Sequence, residues 1–112
     1  MIERFKVVYS DEADAFLASL PLKAREKIFY NIRKSKYVID PKLFKKLEGS
    51  EIWEFRTKYS GIQYRLLAFW DTDSKTLVIA THGFVKKTQK TPQKEIDRAI
   101  EIKNLYFNSK MK

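Results

Sequence analysis

The stretch Ile52-Trp53-Glu54-Phe55-Arg56-Thr57-Lys58-Tyr59, Ser60-Gly61, Ile62-Gln63-Tyr64-Arg65-Leu66-Leu67-Ala68-Phe69-Trp70-Asp71 reads as two strands about a two-residue turn. Both runs are rich in aromatic and branched residues, and Ser-Gly suits a tight hairpin. A third strand is expected over Thr76–Val85, after the turn composition Asp71-Thr72-Asp73-Ser74. Together the three predict an antiparallel meander.

Working outward, Glu3–Tyr9 reads as a strand. Ser10 offers a helix cap, with Asp11, Glu12 and Asp14 where the helix dipole favours negative charge. Ala13, Phe16, Leu17 and Leu20 then share one helical face. After Pro21 a second helix is expected from Leu22 to about Val38. It would bury Ala24, Ile28 and Ile32 and turn Lys23, Lys27, Asn31 and Lys34 outward. Leu43, Phe44 and Leu47 suggest a packed turn with Lys45 and Lys46 exposed. Thr91-Pro92 reads as a helix start, and Ile96, Ala99, Ile100 and Phe107 carry that helix to about Asn108, with 109–112 frayed. The order β-α-α-β-β-β-α predicts one α+β domain over residues 1–112. Its mostly antiparallel sheet would have the helical hairpin packed on one face, plus a C-terminal helix. Helices on one face would leave part of the other free for a site.

The chain has 112 residues, with 44% hydrophobic and 14% aromatic, enough for one modest core. It has no cysteine, so disulfides and thiolate metal sites are excluded and a reducing, cytoplasmic setting fits. Early charges argue against a signal peptide, and no apolar run is long enough to span a bilayer. With one histidine, a transition-metal site is not expected, nor is any cofactor. The net charge of +9 is a strong single-sign field that favours nucleic acid, an anionic membrane or an acidic protein.

Strand alternation puts Ile52, Glu54, Arg56 and Lys58 on one face and Trp53, Phe55, Thr57 and Tyr59 on the other. Arg65 interrupts an otherwise apolar strand. It either joins the charged row or needs a buried partner. Lys86, Lys87 and Lys90 bring further positive charge to one sheet end. The same residues also read as a solvated face with cross-strand ion pairs, Arg65 bridging to Glu54, and His82 as a satisfied structural residue. The chemistry that fits such a row without a metal is RNA cleavage. The 2′-hydroxyl is the nucleophile, Arg and Lys stabilise the phosphorane, and Glu54 or a lysine of lowered pKa takes the proton. Tyr59 or Tyr64 could stack a splayed base.

Phe44-Lys45-Lys46-Leu47-Glu48-Gly49, Ile52-Trp53-Glu54-Phe55-Arg56, Tyr64-Arg65-Leu66-Leu67, the run His82 to Pro92 (HGFVKKTQKTP) and Glu95-Ile96-Asp97-Arg98-Ala99 give the chain a family likeness. Over residues 40–107 it resembles the phage-derived Gp49-like, HigB-like branch of the RelE/ParE toxin superfamily. The resemblance implies a compact α+β toxin that cleaves messenger RNA on the bacterial ribosome. It also implies neutralisation by a cognate antitoxin, often a helix-turn-helix protein. By motif position it implies phosphate and transition-state contacts from Arg56 and Arg65. Lys58 and Lys86 follow as further cations or proton-transfer groups, with Glu54 as a base. Lys87 and Lys90, with Lys45, Lys46 and Tyr64, complete the expected RNA-binding set. Other members of the superfamily inhibit DNA gyrase without cutting RNA, which is the alternative reading. The chain departs from the better-known RelE pattern in lacking a catalytic Tyr or His near its C-terminus.

Overall fold

In the computed structural model, which describes residues 2–110, Ser60 and Gly61 both take positive φ, 50° and 77°. Two such residues make the turn whose twist matches that of the flanking strands. They fold β3 (Trp53–Tyr59) against β4 (Ile62–Trp70), closing on the pair Tyr59 and Ile62. β5 (Leu77–Lys86) returns antiparallel to β4. The strand at the start of the chain, β1 (Lys6–Tyr9), is shorter than the expected Glu3–Tyr9 and pairs parallel with β5. Arg4 is occupied instead in tying down the end of a helix, its guanidinium donating to the Ser35 carbonyl at 2.5 Å.

The expected turn around Phe44 is instead a strand, β2 (Phe44–Lys46), antiparallel to β3. Phe44 is drawn into line by stacking on Phe55, with ring centroids 4.1 Å apart. The sheet therefore has five strands in the order β1-β5-β4-β3-β2.

α1 (Asp11–Ala18) begins as expected, with the Ser10 hydroxyl accepting from the Ala13 amide. α2 (Leu22–Ser35) is shorter than expected at its C-terminal end. Both lie on one sheet face, where Ala13, Leu17, Ala24, Ile28 and Ile32 pack with Phe5, Phe55, Leu66 and Ala80. Asn31 is not on the outward side. It is buried and donates to the Thr57 hydroxyl at 3.1 Å, because a polar group under a helix needs a partner.

α3 (Gln93–Lys110) lies on the opposite face, so the helices do not share one side. Its Ala99 packs with Ile52, Leu67, Phe69 and Ile79. Ser109 and Lys110 are helical, not frayed, because the Lys110 ammonium clasps the buried Asp71 carboxylate at 2.7 Å. Residues 111–112 of the expected frayed tail lie outside the described residues.

One irregularity positions the site. Leu67 pairs with His82 but Ala68 with Ala80, leaving Thr81 as a bulge. Its hydroxyl donates to the Leu67 carbonyl at 3.2 Å, which holds the bulge in place. The extra residue reverses the alternation of β5 beyond it. Val78 and Ala80 face α1 and α2, whereas His82, Phe84 and Lys86 share the face of Leu67, Arg65 and Gln63.

Candidate functional site

On the α3 face, Arg56 and Arg65 stand directly opposite each other on β3 and β4. Between them and α3 sits Glu54, only 2% exposed. One carboxylate oxygen lies 3.4 Å from Arg56 Nε and 3.3 Å from Arg65 Nε. The other accepts from the Thr91 hydroxyl. Neither Nε is aligned for a full hydrogen bond to the carboxylate, so the attraction is chiefly charge on charge.

Arg65 is itself 3% exposed, so of the two placements open from the sequence it takes the one that needs a buried partner, and the face it shares with Arg56 is not solvent-exposed there. It is held by three partners: Glu54, the Gln63 side-chain oxygen at 2.6 Å and the Tyr64 carbonyl at 3.0 Å. Burial pulls its pKa below the ordinary arginine range, Glu54 opposes that shift, and Arg56 adds to it. Arg56 is more open and reaches the Pro41 carbonyl at 3.4 Å.

Above this buried group opens a cleft of about 440 Å³ between β2, β3, the end of β5 and the start of α3. Lys45, Lys86 and Lys90 line it together with Glu54 and Arg56. Burial, followed by the positive charge of Arg65, lowers the pKa of Lys86; Glu54 opposes this, while Arg56 and Lys45 add to it. A partly desolvated amine among cations is suited to proton transfer.

Not every expected residue joins this group. Tyr64 points to the other face and is buried in the core under α1 and α2, where it cannot stack a base. Tyr59 packs on that same core. Lys46 alternates away from Lys45 and sits 3.7 Å from Glu51. Lys58 is exposed at the far end of the same row, opposite Gln63. Lys87 is exposed after β5 but does not line the cleft. Two contributors, Thr91 and Gln63, escaped the sequence reading, and Lys45 sits nearer the centre than expected. Thr91 looked like a helix cap, yet its hydroxyl serves Glu54. Gln63 is a strand-end residue whose role depends on its neighbour Arg65. Lys45 was expected only to bind, but it stands opposite Glu54 at the cleft wall. His82 is, as read, a satisfied buried residue. Its ring nitrogens lie 3.1 Å from the Thr81 hydroxyl and 3.1 Å from Glu95.

The model of the family described as "Phage derived protein Gp49-like" matches residues 15–104. The chain belongs to this family. No curated protein matches the sequence. Among solved structures, the Gp49-like chain is similar to a mutant of the Escherichia coli toxin RelE in the free state. Identity is 18%, TM-score 0.62, and coverage 89% of this chain and 97% of that one. It is similar to a chain of the intact E. coli RelBE toxin–antitoxin complex at 19% identity and TM-score 0.54, covering 77% and 99%. A third similar chain comes from the RelBE2 toxin–antitoxin complex of Mycobacterium tuberculosis, at 18% identity and TM-score 0.51, covering 76% and 100%. Identities at this level establish the fold alone, and the Gp49-like chain has the α+β fold of RelE.

Proposed function

We propose that this protein is the toxin of a type II toxin–antitoxin pair. In this reading it is a metal-independent endoribonuclease that cuts messenger RNA on the translating bacterial ribosome in the cytoplasm. The observation that carries the proposal is the buried Glu54 beside a lysine-lined cleft, holding Arg56 at the cleft wall and Arg65 behind it. A gyrase inhibitor has no need of a buried carboxylate that orients two guanidiniums. A phosphoryl-transfer site does, because preorganised cations stabilise the charge that develops on the phosphorane.

In the proposed reaction a ribose 2′-oxygen attacks the adjacent phosphorus, the bond from phosphorus to the 5′-oxygen breaks, and the departing oxygen takes a proton from water. This leaves a 2′,3′-cyclic phosphate and a 5′-hydroxyl. Arg56 is the open guanidinium that touches the phosphate, and Arg65 supplies fixed positive charge behind it. Glu54 acts as the positioning residue. Both its oxygens are engaged, so the neutral Lys86 amine, and not Glu54, takes the 2′-hydroxyl proton. Lys45 and Lys90 hold flanking phosphates, and Lys58 and Lys87 add to the basic field that draws RNA and ribosome. The partner that neutralises the toxin is a cognate antitoxin of helix-turn-helix type. The similar chains crystallised in toxin–antitoxin complexes support an antitoxin partner, and its helix-turn-helix type follows from the family resemblance.

The test is a translation extract. Purified protein should cut ribosome-bound message with no added metal and leave a 2′,3′-cyclic phosphate end. EDTA at levels the ribosome tolerates should not selectively abolish the cut. Intact message together with blocked DNA supercoiling would refute the ribonuclease reading.

A further inference from the structure

The pairing of β2 with β3 ends at Phe55, so β3 has an open edge beyond Arg56. At that edge a second concavity of about 520 Å³ runs from Arg56 to the outer side of α2. Arg56 lines both this concavity and the cleft, so the two adjoin at its side chain. Lys27, Lys34, Lys42 and Lys58 line the second concavity, and Tyr30 stands among them. Tyr30 is 52% exposed, with the Lys27 ammonium 5.2 Å from its ring centroid. Exposed lysines interleaved with an exposed aromatic ring form the arrangement that tracks a single strand: phosphates on the cations, a base on the ring.

We infer that α2 carries a second RNA-binding surface, on which the substrate strand continues from the cleft over the open edge of β3 and stacks one base on Tyr30. The inference rests on the ribonuclease reading and extends it by naming the strand's path. It gives α2 a function separate from its core packing. Its outward lysines are charge-complementary to an RNA backbone, and the Arg56 side chain that they share with the cleft favours the substrate strand itself as the occupant. The path would make affinity depend on RNA length.

The experiment uses two single-stranded RNAs, fully 2′-O-methylated so that the nucleophile is blocked. One has about four nucleotides, enough for the cleft, and the other about twelve. Binding to the full-length protein is followed by fluorescence anisotropy. Tyr30→Ala should weaken binding of the long strand on the order of 10-fold and leave the short strand unchanged. Tyr30→Phe should restore it, because stacking needs only the ring. The double variant Lys27→Ala/Lys34→Ala should weaken the long strand and reduce its salt slope by about 0.7 for each phosphate that is no longer neutralised. Equal effects on both strands, or none on the long one, overturn the inference while leaving the cleft reading intact. Variants that bind RNA normally but lose affinity for poly-L-glutamate also overturn it, since the surface would then serve an acidic protein. If wild-type protein binds neither strand, the inference falls, and the ribonuclease reading is decided separately by the translation extract.

Discussion

Removing Arg65 should damage stability as well as catalysis, in a way that a compensating substitution reverses. Arg65 and Glu54 are 3% and 2% exposed and 3.3 Å apart. Arg65→Leu leaves the Glu54 carboxylate buried with Arg56 and Thr91 as its remaining partners, and it deprives the Tyr64 carbonyl of a donor. Breaking a buried pair from one side costs about 3–5 kcal/mol. Arg56 remains close to the carboxylate, so the lower end, about 3 kcal/mol, is expected. A domain of 112 residues has only about 5–15 kcal/mol in total. With a urea slope of about 1–3 kcal/mol per molar, the unfolding midpoint should drop by about 1–3 M. Glu54→Met alone should be similarly harmful, because it strands the buried guanidinium. The double variant Glu54→Met/Arg65→Leu removes both charges at once and should recover to within about 1 kcal/mol of wild type. Arg56 and the Thr91 hydroxyl, both partly exposed, can turn to water. Cleavage should be lost in all three variants. Urea denaturation followed by tryptophan fluorescence measures the cycle. Strictly additive losses, with the double variant about 6 kcal/mol down, would refute the reasoning that the pair is a coupled buried unit.

Three further outcomes are expected. Lys86→Ala should lower the cleavage rate on the order of 10²-fold or more, the scale of a missing general base. Because its pKa is lowered, the neutral amine forms below the ordinary lysine range, so wild-type cleavage should rise with pH and level off there. The variant should lose that rising limb, and an unchanged pH profile would dismiss Lys86 as the base. Asp71 is held well below the ordinary carboxylate range by Lys110 and Tyr106, so its contribution to stability is present above about pH 4 and lost as pH falls through the folded value. Asp71→Asn should therefore unfold at lower urea than wild type at about pH 7, with the gap closing as the medium becomes acidic. A gap that persists unchanged below about pH 2 would contradict this. Gly83→Ala would place a Cβ on the Phe16 ring of α1, an overlap that should destabilise by about 1–3 kcal/mol, read by thermal unfolding. A variant as stable as wild type would show that the Phe16 ring yields freely.

The meander, the helical hairpin, the C-terminal helix and the row Glu54, Arg56, Lys58 were legible in the amino-acid sequence, because these depend on local period and turn chemistry. Ser60-Gly61 is legible as a hairpin turn, and Ser10 as a cap, since each acts on its own neighbours. An alternation of two also suffices to place Arg56 on the face of Glu54, and the option of an Arg65–Glu54 bridge was open from the sequence. Tertiary structure decided everything that required knowing what lies across a gap. β2 exists because Phe44 stacks on Phe55 across the intervening turn. Asn31 turns inward because Thr57 is there to receive it. α3 covers the face opposite the hairpin, which converts a solvated row of charges into a buried carboxylate with two guanidiniums beneath a cleft. The choice between Lys86 and Lys87 shows the limit most clearly. Unbroken alternation from Ile79 would send Lys87 to the site face. The single unpaired residue Thr81 shifts the register by one and delivers Lys86 instead. A bulge is held by cross-strand bonds, here from Thr81 to Leu67, so the spacing of one strand's letters does not reveal it.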